Sequence, residues 1–181
     1  MHPAGRARRA RPRILACSVA IVLAACSGAT PSERASEALR AGLAAHRQGR
    51  LEQADRLYRE TLRIEPRNRF ALYNRGLIAH VRGNEVAAEG RYRRALLADA
   101  RFADALYNLA VLRADLGATI EAIDLYRSVL ALEPENAPAH FNLGLLLRSA
   151  GRTGEAEKEI ARALALDPTL EEGSRAPPGD P

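Results

Sequence analysis

Apolar and polar positions along this chain recur at one fixed interval. Residues 72–76 read LYNRG, residues 106–110 read LYNLA and residues 140–144 read HFNLG, each phrase 34 residues from the next. Further along each interval comes an apolar pair at i, i+4: Tyr58 and Leu62, Tyr92 and Leu96, Tyr126 and Leu130, Ile160 and Leu164. That spacing puts both side chains on one face of a helix. A catalytic motif is normally needed once. A phrase written at a constant period marks a part that must be stacked.

The pattern resolves into four units beginning at Ala35, Arg69, Ala103 and Ala137. Their eighth place is Gly42, Gly76, Ala110 and Gly144, small enough for two helices to approach closely. The fifteenth is glycine in all four, at 49, 83, 117 and 151, where a first helix ends in the left-handed conformation that glycine tolerates. The twentieth is always alanine (Ala54, Ala88, Ala122, Ala156), which admits a neighbouring helix. The thirty-second is Pro66, Ala100, Pro134 and Pro168, and proline stops the second helix and turns the chain into the next unit. Each unit is predicted as an antiparallel helical hairpin that buries its apolar face only by stacking on its neighbours.

Period and spacing together resemble the tetratricopeptide repeat (TPR), from Ala35 to Leu170. The departures are Ala38, Leu72, Leu106 and His140 at the fourth place, Ala100 for proline, and Thr61 and Val129 at the twenty-seventh. The resemblance implies an all-α, right-handed solenoid of four hairpins, residues 31–68, 69–102, 103–136 and 137–170, with a concave groove lined by the first helices. Carried onto this chain, the groove places give Tyr73, Asn74, Leu77, His80, Tyr107, Asn108, Val111, Phe141, Asn142, Leu145 and Arg148 as candidate peptide-binding residues. Asn74, Asn108 and Asn142 form a column resembling those with which TPR proteins hold peptide backbones. An amide both donates and accepts, and the same asparagine is also common repeat usage. The dicarboxylate clamp of some TPR co-chaperones is not expected, because Leu39, Leu43, Asp104 and Pro138 stand where it needs cations.

Charge changes the picture less than the pI of 9.7 implies. Arg6, Arg8, Arg9, Arg11 and Arg13 lie before any acid; removing those five from 27 Lys and Arg leaves 22, equal to the 22 Asp and Glu. Beyond the leader the chain is neutral, so a nucleic-acid partner is not expected. The arginines precede an apolar run from Ile14 to Ala25, too short for a membrane span of about 20 residues and ordered as a secretory signal. Leu23, Ala24, Ala25 and Cys26 resemble the bacterial lipobox. The resemblance implies removal of residues 1–25 and a covalent lipid on Cys26. Ser27, rather than aspartate, resembles lipoproteins passed to the periplasmic face of the outer membrane. Residues 26–30 would be a short tether, with a helix start at Thr30, Pro31, Ser32 and Glu33.

The remaining chemistry is sparse. Cys17 leaves with the leader and Cys26 is the acylation site, so no disulfide or cysteine zinc site is expected in the mature chain. No P-loop, dinucleotide glycine pattern, HExxH or GxSxG occurs, and no enzyme activity, cofactor or small-molecule substrate is expected. His46 and His80 share the twelfth place without a third ligand; His140 falls at a packing position. Arg91, Arg93 and Arg94 form a basic cluster that could be a solvated convex face or lie on anionic lipid head groups, and the offset by Glu85 and Glu89 favours the solvated face. Ile160 and Leu164 on the last helix are expected to be poorly covered, and residues 171–181 to be disordered. The expected function is protein–protein interaction: a membrane-anchored scaffold or assembly factor with a peptide groove, or a structural subunit docking through its last helix.

Overall fold

Repeated helix signals become repeated helices in the computed structural model, which describes residues 28–170. Eight helices follow in chain order: α1 (Pro31–Arg47), α2 (Leu51–Ile64), α3 (Arg69–Val81), α4 (Glu85–Ala98), α5 (Ala103–Asp115), α6 (Thr119–Leu132), α7 (Ala137–Ser149) and α8 (Thr153–Leu166). They pair as the four predicted hairpins, and α1 starts at the expected proline. No strand occurs among the described residues. The expected acylation site Cys26 and the expected disordered tail lie outside them.

The hairpin turns are copies of one another. Gly83 has φ +69°, and its N–H donates to His80 O at 2.9 Å while Asn84 N–H reaches back to Ala79 O at 2.9 Å. This pair of bonds satisfies carbonyls that the helix end would otherwise orphan. The other three turns repeat it, with φ between +70° and +75°. At the starts, Asn68, Asn84 and Asn136 accept from the N–H of Ala71, Ala87 and Ala139. Such a cap stabilises a helix by about 1 kcal/mol.

Inside a hairpin the second-helix tyrosine lies on the first-helix glycine. A Cβ at Gly76 would stand 2.5 Å from Tyr92 Cε1. Tyr58, Tyr92 and Tyr126 are wholly buried. Three apolar cores result, and each straddles a junction. Tyr58 clusters with Ala71 and Ile78 of the next unit, Tyr92 with Phe102 and Leu109, and Tyr126 with Ala139 and Leu143. The unit interfaces are thus the hydrophobic core, and burial across them is the main stabilising term.

Ion pairs reinforce the junctions at the twenty-first place and near it. Asp55 accepts from Arg75 at 2.7 Å between units one and two. Between units two and three, Glu89, Arg93, Glu121 and Arg113 close a ring of four alternating charges, with N–O distances of 2.9, 2.8, 2.7 and 3.3 Å. The expected basic cluster on α4 is therefore not one solvated patch. Arg93 belongs to this ring. Arg91 is half-buried, where burial and then the neighbouring Arg75 hold its guanidinium pKa below the usual value. Arg94 alone projects free. Glu89 supplies the offset that Glu85 was also expected to give.

The last unit ends without this support. On α8 only Ala156 and Ala163 are buried, Ile160 is half-buried and Leu164 is 37% exposed. Poor coverage of this helix was expected from the sequence and is observed.

Candidate functional site: the first-helix wall

The odd-numbered helices α1, α3, α5 and α7 form one wall. On α3, α5 and α7 the fifth and sixth places carry the aromatic and asparagine columns, where α1 has Leu39 and Arg40. Two asparagines are positioned by their own helices: Asn74 Nδ2 donates to Phe70 O at 2.9 Å and Asn108 Nδ2 to Asp104 O at 3.0 Å. A carbonyl can only accept, so these bonds fix which end of the amide is nitrogen. Asn108 Nδ2 also reaches Tyr73 Oη of the preceding unit at 2.9 Å, and Asn142 Nδ2 reaches Tyr107 Oη at 2.9 Å. Asn74 has Leu39 at the corresponding place and no hydroxyl to meet.

This corrects the expected amide ladder. The three asparagines are 1–3% exposed, and their donors are spent inside the array, where two of them tie one unit to the next. They were expected both to donate to and to accept from a peptide; the donor half of that role is already used. The acceptor half is not. Oδ1 of Asn74, Asn108 and Asn142 is buried and accepts no hydrogen bond. A buried acceptor left unmade costs on the order of 1–3 kcal/mol, and each such case calls for an explanation.

The apolar candidates are corrected as well. Phe141 is wholly buried, and Tyr73, Tyr107, Leu77 and Val111 are under 9% exposed. Tyr73 meets Phe102 edge-on at 5.1 Å between centroids, and Tyr107 meets Tyr126 at 5.6 Å. Burial raises the Tyr73 hydroxyl pKa, the Asp104 charge adds to this, and the bond from Asn108 opposes it. These residues serve the stacking core. Of the predicted set, His80 and Leu145 are half-buried and Arg148 is exposed. Phe70 and Val81, 41% and 69% exposed, are open apolar side chains at the second and thirteenth places of unit two. The repeat register alone could have named them.

The histidines are explained by packing. His46 Nδ1 lies 3.4 Å from Tyr58 Oη, and His80 Nδ1 lies 3.5 Å from Tyr92 Oη, so each imidazole crowns its own unit's tyrosine. His140 sits between Glu159 Oε2 at 2.6 Å and Pro134 O at 3.0 Å. Among the described residues no group of three His, Cys, Asp or Glu side chains is arranged to hold a metal, and no helix is long and apolar enough to cross a membrane. Asp104, at the mouth of the wall, has its carboxyl pKa raised by burial and then by Glu133, with Arg69 opposing.

Two profiles described as tetratricopeptide repeat match the sequence, over residues 39–91 and 113–175. No significant match exists among curated proteins. Solved structures similar to this one include MamA, with a TM-score of 0.70, 22% identity, and coverage of 82% of this chain and 84% of that one. The pilF protein of Pseudomonas aeruginosa has a TM-score of 0.69 and 24% identity over 77% of this chain, which spans 64% of pilF. A mutant O-GlcNAc transferase of Thermobaculum terrenum has a TM-score of 0.61 and 28% identity over 66% of this chain, but only 23% of the transferase is covered. At these identities MamA and pilF establish a shared fold.

Proposed function

Since this chain belongs to the tetratricopeptide-repeat family, whose fold typically mediates protein–protein interaction without catalysis, we propose that it holds an extended peptide segment of a protein partner along its first-helix wall. One observation carries this reading: Phe70 and Val81, at groove places of α3, stand 41% and 69% exposed beside the half-buried His80 and Leu145. Phe70, Val81 and Leu145 would supply apolar contact to alternate side chains of the segment. On this reading the buried asparagines hold the wall together and do not touch the ligand. In the wider proposal the chain is a lipid-anchored scaffold or assembly factor of the pilus or secretion type. It would be held by acylated Cys26 on the periplasmic face of the outer membrane.

Peptides selected for binding from an unbiased library test the wall. Replacing Phe70 and Val81 together by alanine should weaken their binding about tenfold or more. Unchanged binding by that variant would remove the reading. Asparagine-to-alanine changes are a poorer test, because they break the bonds to Tyr73 and Tyr107. The anchor has its own test: mass spectrometry of the membrane-extracted protein should find a lipid-modified Cys26 at the mature N-terminus, and Cys26→Ala should abolish the modification.

A second reading rests on the end of the array. Arg148, Thr153, Ala156, Glu157, Ile160 and Leu164 line an open cavity of about 390 Å³ where a fifth unit would stack. A subunit docking there would be lost on Leu164→Glu while peptide binding to the wall persisted.

A further inference from the structure

The loops joining successive units all lie along one edge of the array, and their charge changes sign from one end to the other. In the first half, residues 63–69 and 94–101 carry five arginines against Glu65 and Asp99. The corresponding stretches of the second half, residues 131–137 and 162–169, carry one arginine, Arg162, against Glu133, Glu135 and Asp167. The basic half is also built to be rigid. Arg67 donates to Leu97 O at 2.9 Å, Arg69 pairs with Asp99, and Phe70 and Phe102 stack edge-on at 5.5 Å between centroids.

Those contacts use up Asp99, while Glu65 accepts from Asn68 at 2.8 Å. Arg63, Arg94 and Arg101 are exposed and make no ion pair among the described residues. Leu97, three residues after Arg94 and four before Arg101, is 76% exposed. Cations at helix C-termini can serve the helix dipole, but α6 and α8 end with no basic residue in the last turn. The fold therefore does not require them.

We infer that this edge, with Arg63, Arg94 and Arg101 around Leu97, is a docking surface for an anionic lipid bilayer. Charge complementarity argues for it, since arginines near a negatively charged membrane surface each strengthen binding about fivefold. An exposed leucine among cations can enter the headgroup layer, as on other peripheral surfaces. Chain entry agrees: Ser32, at the start of α1, lies 3.4 Å from Glu65 on this same edge. Residues 27–30 would span about 14 Å at full extension, so a lipid on Cys26 would deliver this edge to the membrane. The surface goes beyond the wall's peptide role and acts by its own charge. The acidic second half would be repelled, so the far units and the end cavity would tilt away from the bilayer.

The test is amide hydrogen exchange on the full chain carrying Cys26→Ala, reconstituted with vesicles of phosphatidylcholine alone or mixed equally with phosphatidylglycerol. Exchange over residues 97–101 should slow about fivefold or more in the anionic vesicles only, while residues 133–136 are unchanged. High salt should reverse the effect. The variant Arg63→Glu, Arg94→Glu, Arg101→Glu leaves the leader intact and breaks no side-chain bond among the described residues, and it should lose the slowing. Equal exchange in both vesicles, or slowing that survives in the variant, overturns the inference. So does the same slowing with inorganic phosphate or an added polypeptide in place of vesicles. Peptide binding to the wall is a separate readout, and its failure would leave this one intact.

Discussion

The second and fourth units share a plan and differ in how their second helix is covered. In unit two Tyr92 lies on Gly76, wholly buried, beneath His80 and against the next unit. In unit four the same place is Ile160, lying on Gly144 and only half-buried, with Arg148 where the histidine would be. The hairpin geometry is retained, since a Cβ at Gly144 would come 2.6 Å from Ile160 Cγ1. What changes is the neighbour on the far side. An interior second helix is sealed by the following first helix, whereas α8 has none among the described residues. The difference teaches that the hairpin defines the shape of a unit while the junction supplies most of its stability.

The largest effect should come from removing the interior tyrosine. Tyr92→Ala is expected to lower unfolding free energy by about 3–5 kcal/mol, while Ile160→Ala costs no more than about 2 kcal/mol, both read by urea denaturation. Equal losses would break the comparison. Next is the bond between units. Asn108→Ala should cost about 1–2 kcal/mol because it also orphans Tyr73 Oη, and Asn74→Ala should cost less, having no such partner. Filling the last unit sharpens the contrast from the other side: Ile160→Tyr should stabilise by about 0.5–2 kcal/mol, measured as a raised denaturation midpoint.

Smallest is the charge ring. Arg113→Ala should cost about 1 kcal/mol and lose most of that effect in high salt. Arg127→Ala should change nothing measurable, since its pair with Glu155 is 3.5 Å long and about half-exposed on both sides.

Much of this was legible from spacing. The Gly83 turn, the Gly76 contact and the start of α1 follow from local rules that need only the register. The asparagines were legible as a column but not as to direction. Whether an amide faces a ligand or a neighbour depends on what stands 35 residues earlier, and Tyr73 and Tyr107 are aromatic residues whose hydroxyls the register does not aim. Arg91, Arg93 and Arg94 were misread together for a related reason. Consecutive helical residues point about 100° apart, so one entered a ring, one was half-buried and one stayed in water. The edge charge was present in the sequence throughout, but it appears only when residues 30 or more apart are placed side by side.

The four matching glycine turns have a consequence for lineage. Because every hairpin closes the same way and meets its successor through the same places, inserting a further 34 residues adds one complete rung and leaves each existing junction in phase. Unequal recombination within the gene can therefore lengthen or shorten the receptor wall in whole steps. A single residue inserted within a helix would instead put the unit that receives it, and its junctions, out of phase.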